Sequence, residues 1–97
     1  MPTNPNYLTV KSTITNIESR IDKNSHRYFR VNVQWNDNDQ IFYAFATDYS
    51  LNIGTLQTLT NAPENFINRL VLISYEELEN KQFNNTFFRI KQIEIVR

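Results

Sequence analysis

The residues from Tyr28 to Trp35 alternate strictly between two kinds of side chain, and this pattern constrains the fold more than any other feature of the chain. Every second residue is apolar, namely Phe29, Val31, Val33 and Trp35. The residues between them are polar or amphipathic, namely Tyr28, Arg30, Asn32 and Gln34. Because successive side chains of a β-strand point to opposite faces, the pattern predicts a strand that begins near His26 and buries one face.

A polar loop and a second strand follow, and this order of strand, loop and strand predicts a β-hairpin. The loop is predicted over Asn36–Asp39 and the returning strand over Gln40–Thr47. In that register Trp35 lies opposite Gln40, and at the following positions large apolar residues face small ones. A slip by one residue would move every apolar side chain to the wrong face, so the pattern favours this register.

The residues from Tyr7 to Ile21 predict a long first strand that changes phase once. Its inward-phase residues occupy even positions up to Ile14 and odd positions from Ile17 onward. A single change of phase is typical of a β-bulge or sharp bend, here near Thr15. Strands that bend in this way help a small sheet to curl into a barrel.

One short helix is predicted between the third and fourth strands, over residues 61–70. Asn61 can cap its first turn, and Pro63 is tolerated there. The preceding residues 53–59 also carry apolar side chains at helical spacing. Gly54 and the neighbouring threonines disfavour a helix in that segment.

Two further strands complete the chain. Residues 71–75 are predicted as a short strand, residues 76–85 as a polar loop and residues 86–96 as a final strand. A second change of phase predicts a bulge near Lys91 and Gln92. Five strands with one helix between the third and fourth describe an all-β fold, the partly open Greek-key barrel of oligonucleotide/oligosaccharide-binding (OB) proteins.

With this element order the chain resembles OB-fold single-stranded-DNA-binding proteins of the small phage or plasmid kind. The resemblance covers residues 7–96 and includes the stretches Val71–Tyr75 and Phe88–Glu94. It implies a binding protein whose partner is single-stranded DNA, with RNA as the alternative. The chain departs from the common bacterial protein of this class, because it lacks glycine-rich strand turns and an acidic C-terminal tail. Recruitment of partners through such a tail is therefore not expected.

The net charge excludes binding of nucleic acid or membrane by bulk charge alone. Ten Lys and Arg balance ten Asp and Glu among 97 residues. The acidic residues cluster in two predicted loops, at residues 37–39 and 76–79. That segregation would leave a positive groove on a neutral protein.

No residue pattern predicts catalysis, a metal or another cofactor. Cysteine is absent, which excludes disulfides, thiolate metal sites and a cysteine nucleophile. His26 is the single histidine, and no phosphate-binding glycine loop, nucleophile elbow or zincin motif is present. Asp37 and Asp39 lack the spacing and the glycine of an EF-hand.

The chain is expected to form one cytoplasmic domain over residues 7–97, preceded by a proline-containing arm over residues 1–6. No stretch approaches the 18 or so apolar residues of a membrane span. The N-terminus lacks the basic and apolar regions of a signal peptide. Trp35 is expected to face the core, and Phe83 is expected to anchor the loop before the last strand.

The polar face of the central hairpin is the candidate binding surface. An OB barrel presents its second and third strands to the ligand, flanked by the loops after strands one and four. Tyr28, Tyr43 and Phe45 would supply flat rings on which bases stack. Asn32 and Gln34 would contact base edges or sugars.

Basic residues of three strands are the predicted phosphate contacts. Arg27 and Arg30 belong to the second strand. Lys11 of the first strand would extend the Arg30 patch, because these two strands are neighbours in a closed barrel. Arg89 belongs to the last strand, and Lys91 shares its predicted outward phase.

Other interpretations of the same face stay open. Ile41, Tyr43 and Phe45 form a row that would also suit a second copy of the chain or a protein partner, as in a small accessory module of a phage or mobile element. The rings could instead pack beneath a loop, or stack on the sugar rings of an oligosaccharide.

Overall fold

The computed structural model describes residues 7–80 and 84–96 as a closed five-stranded barrel with one α-helix. The elements are β1 (Leu8–Ile21), β2 (Arg27–Trp35), β3 (Asn38–Phe45), α1 (Ile53–Asn61), β4 (Leu70–Asn80) and β5 (Asn85–Ile95). The predicted OB-like barrel, with its helix between the third and fourth strands, is confirmed. The predicted arm and the predicted anchor Phe83 lie outside the described residues.

The strands close in the order β1-β2-β3-β5-β4, with β4 returning to β1. Neighbouring strands are antiparallel, except that β3 and β5 are parallel. Within residues 7–80 and 84–96, that parallel contact consists of two pairs, Phe42 with Phe88 and Tyr43 with Arg89. The seam between β3 and β5 is therefore much shorter than the other strand pairings.

The predicted bend in β1 is confirmed. Residues from Leu8 to Thr13 pair with β4, and residues from Thr13 to Ile21 pair with β2. The register shifts between Ile14 and Asn16, which leaves Thr15 as the extra residue of a bulge. One bent strand thus serves two neighbours, which lets a sheet of five strands close into a barrel.

The barrel interior is filled by the inward-facing apolar residues of all five strands. The fully buried ones are Ile14, Phe29, Val31, Val33, Phe42, Ala44, Val71, Ile73 and Ile90. Burial of each large side chain contributes about 1.5–3 kcal/mol. Trp35 is half-buried at the edge of this core, with its ring 6.2 Å from that of Phe42 and 6.3 Å from that of Tyr75.

The β2–β3 hairpin turns over two residues, Asn36 and Asp37, and not over the four that were predicted. Both residues have positive φ, at 55° and 64°. Trp35 consequently pairs with Asn38 and not with Gln40. A two-residue turn of this kind matches the twist of the flanking strands, and Asn and Asp tolerate positive φ. The shift of register by two residues leaves both faces with the predicted composition.

Helix α1 lies earlier in the chain than predicted. Its N-terminal cap is Asn52, whose side chain accepts a hydrogen bond from the Thr55 amide at 2.9 Å. Asn61, the predicted cap, is the last residue of the helix. The residues Pro63–Asn65, which were predicted to begin the helix, form a short 3-10 turn instead.

Packing against β5 explains why the helix forms despite its weak intrinsic propensity. Thr55 is buried, and its hydroxyl accepts a hydrogen bond from the Ile93 amide at 3.0 Å. Leu59, one turn further along, is also buried. These contacts outweigh the cost of Gly54 and the threonines, which is at most about 1 kcal/mol per residue.

Strands β4 and β5 form a long hairpin that includes most of the segment predicted as a loop. Residues 76–80, all polar except Leu78, belong to β4, and β5 begins at Asn85. The run of polar residues misled the sequence interpretation because both faces of this part of β4 carry polar side chains.

The predicted bulge in β5 is confirmed, but its effect on Lys91 was not foreseen. The register shifts between Ser74 and Tyr75 of β4, which leaves Lys91 as the extra residue of β5. Lys91 is only 3% exposed, and its ammonium contacts Asp48 and Glu76, the same two carboxylates that Arg89 contacts. It therefore lies beside Arg89, as predicted, but it is not an exposed cation. A bulge interrupts the alternation of side chains, and here the lysine at the bulge is covered by these two carboxylates.

Candidate nucleic-acid interface

Four aromatic rings from three strands meet on the outer face of the barrel. This ring cluster consists of Tyr28, Tyr43, Phe45 and Phe87, all of them half-buried. The rings of Tyr28 and Phe45 are 6.0 Å apart, and those of Tyr43 and Phe45 are 6.3 Å apart and nearly parallel. Phe87 stands edge-on to both β3 rings, at 6.1 and 6.3 Å. The cluster is therefore a continuous aromatic surface.

Strand register brings these rings together. Tyr28 is the partner of Phe45 in the β2–β3 pairing. Tyr43 is the partner of Arg89 across the β3–β5 seam, and Phe87 lies two residues before Arg89 on the same face of β5. The sequence identified the rings of β2 and β3. It missed Phe87, because only the closure of the barrel shows that β5 adjoins β3.

A cleft of about 610 Å³ opens over the ring cluster. Asp22, from the turn between β1 and β2, lines one part of it. Asn80 and Asn85, from the end of the β4–β5 hairpin, line another part. These are the two connections that flank the ligand in OB barrels. The cleft therefore lies on the face that the sequence singled out.

Two arginines border the ring cluster on the side of β1. Arg30 is the partner of Tyr43 in the β2–β3 pairing, and Arg20 is the partner of Tyr28 in the β1–β2 pairing. Arg20 donates a hydrogen bond to Glu18 at 2.7 Å, which lowers the pKa of that carboxyl group. Arg30 lies 3.9 Å from the same carboxylate, so its charge is the less compensated of the two. Arg20 was not predicted, because its place opposite Tyr28 depends on the register after the bulge.

Arg89 lies on the other side of the ring cluster, within a network of four charges. Arg89 donates to Glu76 at 2.8 Å, and its Nε lies 3.6 Å from Asp48. The Lys91 ammonium lies 2.5 Å from Asp48 and 3.0 Å from Glu76. The Arg89 hydrogen bond lowers the pKa of Glu76. Burial raises the pKa of Asp48, but hydrogen bonds from Lys91 and Ser50 outweigh this and lower it.

The acidic residues are not segregated from the cations, contrary to the prediction. Glu76 belongs to a strand and contacts Arg89, and Glu18 contacts both arginines on the side of β1. The arginines that flank the ring cluster are therefore partly compensated by carboxylates of the same chain. Stacking, and not net charge, is the main interaction that this surface offers.

Two predicted polar contacts lie on the same face as the rings but outside the cleft. Asn32 is opposite Ile41, and Gln34 is opposite Asp39, further along the β2–β3 hairpin. A strand rises about 3.3 Å per residue, so Gln34 lies roughly 20 Å from Tyr28. These side chains extend the face and do not form part of the aromatic surface.

Two predicted basic contacts are not brought to the ring cluster. The Arg27 guanidinium donates to the hydroxyl of Ser19, on the side of β2 opposite Tyr28. Lys11 is exposed in the half of β1 that pairs with β4, where its partner is Leu72. It therefore does not lie beside Arg30.

Residues 7–80 and 84–96 contain no set of three His, Cys, Asp or Glu side chains placed to hold a metal ion. In the same part of the chain, no helix has the length and apolar character needed to span a membrane.

Comparison with known proteins shows a likeness in fold. The crystal structure of the SSB domain of a protein from Synechococcus sp. superposes with a TM-score of 0.65 at 11% sequence identity. The match covers 97% of this chain and 99% of that one. No family model matches the sequence, and no curated protein matches it. The likeness confirms the predicted resemblance to OB-fold proteins of the SSB kind at the level of the fold.

Proposed function

We propose that this protein binds single-stranded nucleic acid, with DNA as the expected form, by stacking bases on the ring cluster. One observation carries the proposal. The four rings lie between the β1–β2 turn and the β4–β5 hairpin, where OB barrels hold their ligands. The likeness to an SSB domain supports the same function. Every base has a flat face, so binding by stacking tolerates many sequences.

The ring cluster would accommodate two or three stacked bases on Tyr28, Tyr43, Phe45 and Phe87. Each stacked base contributes about 1–3 kcal/mol as judged by alanine substitution. A single domain would then bind in the micromolar range, and tighter binding would need several domains on one strand.

Arg30 and Arg20 are the nearest phosphate contacts. Each phosphate contact on a single strand changes the slope of log affinity against log salt by about −0.7, so two would give about −1.4. Arg89 is held by Glu76 and Asp48, and contributes less. Lys11 and Arg27 would contact only a strand that extends beyond the cleft.

Fluorescence polarisation of a labelled single-stranded DNA of mixed sequence, about 25 nucleotides long, tests the proposal. We expect binding in the micromolar range, with a shallow salt slope and with no competition from duplex DNA. The RNA of the same sequence, measured in parallel, determines the preferred sugar. Absence of binding at tens of micromolar protein would rule the proposal out.

The same experiment separates the main alternative. A protein-docking surface formed by Ile41, Tyr43 and Phe45 would bind neither DNA nor RNA. Pull-down with the folded protein, and with a Tyr43→Ala variant as the control, would then identify that partner.

A further inference from the structure

One of the residues that line the cleft above the ring cluster is acidic, namely Asp22. Stacking does not require an acidic residue, and such a group opposes the approach of phosphate. We propose that Asp22 makes the cleft prefer bases that carry an exocyclic amino group over thymine and uracil. This inference rests on the proposed function and adds a chemical preference to it.

The Asp22 carboxylate is held in a fixed position. Its Oδ1 accepts hydrogen bonds from the backbone amides of Asn24 at 2.8 Å and His26 at 2.9 Å. The bond from the His26 amide lowers the pKa of Asp22, so the group is ionised at neutral pH. Its Oδ2 lies 3.8 Å from the His26 ring nitrogen, which is beyond hydrogen-bonding distance. One carboxylate oxygen therefore remains able to accept a hydrogen bond from a ligand.

An ionised carboxylate is only an acceptor, so it selects ligands by their donors. Cytosine, adenine and guanine each carry an amino group on the edge that a single strand exposes. Thymine and uracil have one ring N–H on that edge, and a carbonyl oxygen on each side of it repels a carboxylate. Asn80 and Asn85 line the same cleft, but an amide both donates and accepts and so does not discriminate in this way.

The position of Asp22 also orients the bound strand. The Asp22 carboxylate repels phosphate, although Lys23 beside it offsets part of this, and Arg30 and Arg20 attract phosphate. Bases stacked on Tyr28 and Phe45 would then direct their edges, and not their backbone, toward Asp22.

Two labelled homopolymers test the preference, one of deoxycytidine and one of deoxyuridine, each about 12 nucleotides long. The two bases stack weakly on themselves and differ mainly in the amino or carbonyl group at position 4. At neutral pH we expect the deoxycytidine oligomer to bind about fivefold more tightly, the low end for one good base contact. In Asp22→Asn the amide oxygen can still cap the turn. This variant should bind the deoxyuridine oligomer more tightly and lose the preference.

Asp39→Asn is the matched control, because Asp39 is an exposed aspartate near the start of β3 that lies outside the cleft. It should keep the preference. Equal binding of both homopolymers by the unaltered protein would overturn the inference, and so would an unchanged preference in Asp22→Asn. In either case binding of the mixed-sequence strand leaves the proposed function standing. Failure to bind the mixed-sequence DNA and both homopolymers would overturn the base preference and the proposed function together.

Discussion

Tyr43 and Arg89 are partners in the parallel pairing of β3 and β5, so the ring cluster and the charge network meet where the barrel closes. The rings lie on one side of this point, and the Asp48, Glu76 and Lys91 side chains on the other. Substitutions in the rings should therefore affect binding, and substitutions among the charges should affect stability.

Tyr43→Ala should weaken binding of single-stranded DNA by about 1–3 kcal/mol, because it removes one stacking surface. Fluorescence polarisation measures the affinity, and a thermal melt checks that the variant is folded. Tyr49→Ala makes the same chemical change at a fully exposed position outside the cleft, and should bind normally. Normal binding by a folded Tyr43→Ala variant would place the site elsewhere.

Alanine substitutions at Phe87 and at Phe88 should affect different properties, DNA affinity in the first case and stability in the second. Phe87 faces the cleft, whereas Phe88 packs 5.1 Å from both Phe42 and Tyr75 at the core. Phe87→Ala should weaken binding with little change in the free energy of unfolding. Phe88→Ala should lower that free energy by about 3 kcal/mol, the low end for a phenylalanine because the side chain is only half-buried. Urea unfolding and DNA titration of both variants check this, and the reverse pattern would contradict the assignment of faces.

Acid should destabilise the protein through the charge network. Asp48 and Glu76 have pKa values lowered by folding, so they add stability above their ordinary pKa values of 3.8 and 4.5. That stability is lost as the pH falls below these values and through the folded-state pKa values. Lys91→Met should cost about 3 kcal/mol at neutral pH, the low end for breaking a buried pair because Arg89 still contacts both carboxylates.

Urea unfolding at neutral pH and at about pH 3 measures both effects. The difference between Lys91→Met and the unaltered protein should shrink at the acidic pH, because protonated carboxyl groups no longer need the cation. Lys11→Met is the control, since Lys11 is exposed and is not one of the four charges. A difference that stays constant with pH would show that Lys91 contributes through packing and not through charge.

Asp37→Gly should stabilise the β2–β3 hairpin by about 0.5–1 kcal/mol. Asp37 has a φ of 64°, which glycine adopts without the steric cost that other residues incur. Asp39→Gly, two residues later within β3, should instead lower stability by a similar amount. The free energies of unfolding in urea check the two opposite signs. Destabilisation by Asp37→Gly would mean that the aspartate side chain itself holds the turn.

The sequence identified the faces of the strands but not their register. Apolar alternation has a period of two, so the pairing of Trp35 with Asn38 and its pairing with Gln40 bury the same side chains. Only turn chemistry separates the two registers. The adjacent Asn36 and Asp37, both tolerant of positive φ, were the available signal for the shorter turn.

The helix and the lysine show where tertiary contacts override local patterns. The hydrogen bond between Thr55 and Ile93 stabilises a helix that propensity alone disfavours. Lys91 is the extra residue of the predicted bulge in β5, but its burial depends on the Asp48 and Glu76 carboxylates, which come from other parts of the chain.

The sequence predicted the part of the candidate site that lies within one hairpin, and it missed the part that depends on tertiary contacts. Tyr28, Tyr43 and Phe45 follow from alternation within one hairpin. Phe87 and Arg20 enter the site from other strands, and their places depend on the register across the barrel. The alternation of side chains within one strand does not determine how that strand pairs with its neighbours.

The brevity of the β3–β5 seam has a consequence for the response of the barrel to its ligand. Tyr43 belongs to β3 and Phe87 to β5, on opposite sides of this seam. Nucleic acid stacked on both rings would therefore bridge the two strands. A ligand that binds only the closed barrel makes the open form rarer, by a free energy of RT ln(1 + c/Kd) that grows with the ligand concentration c. The amide hydrogens of the seam should therefore exchange faster with solvent than those between β4 and β5, and should become protected when DNA is added. Affinity for nucleic acid and resistance to local opening would then be coupled. A change that favours opening of the β3–β5 seam would also weaken binding of the nucleic acid.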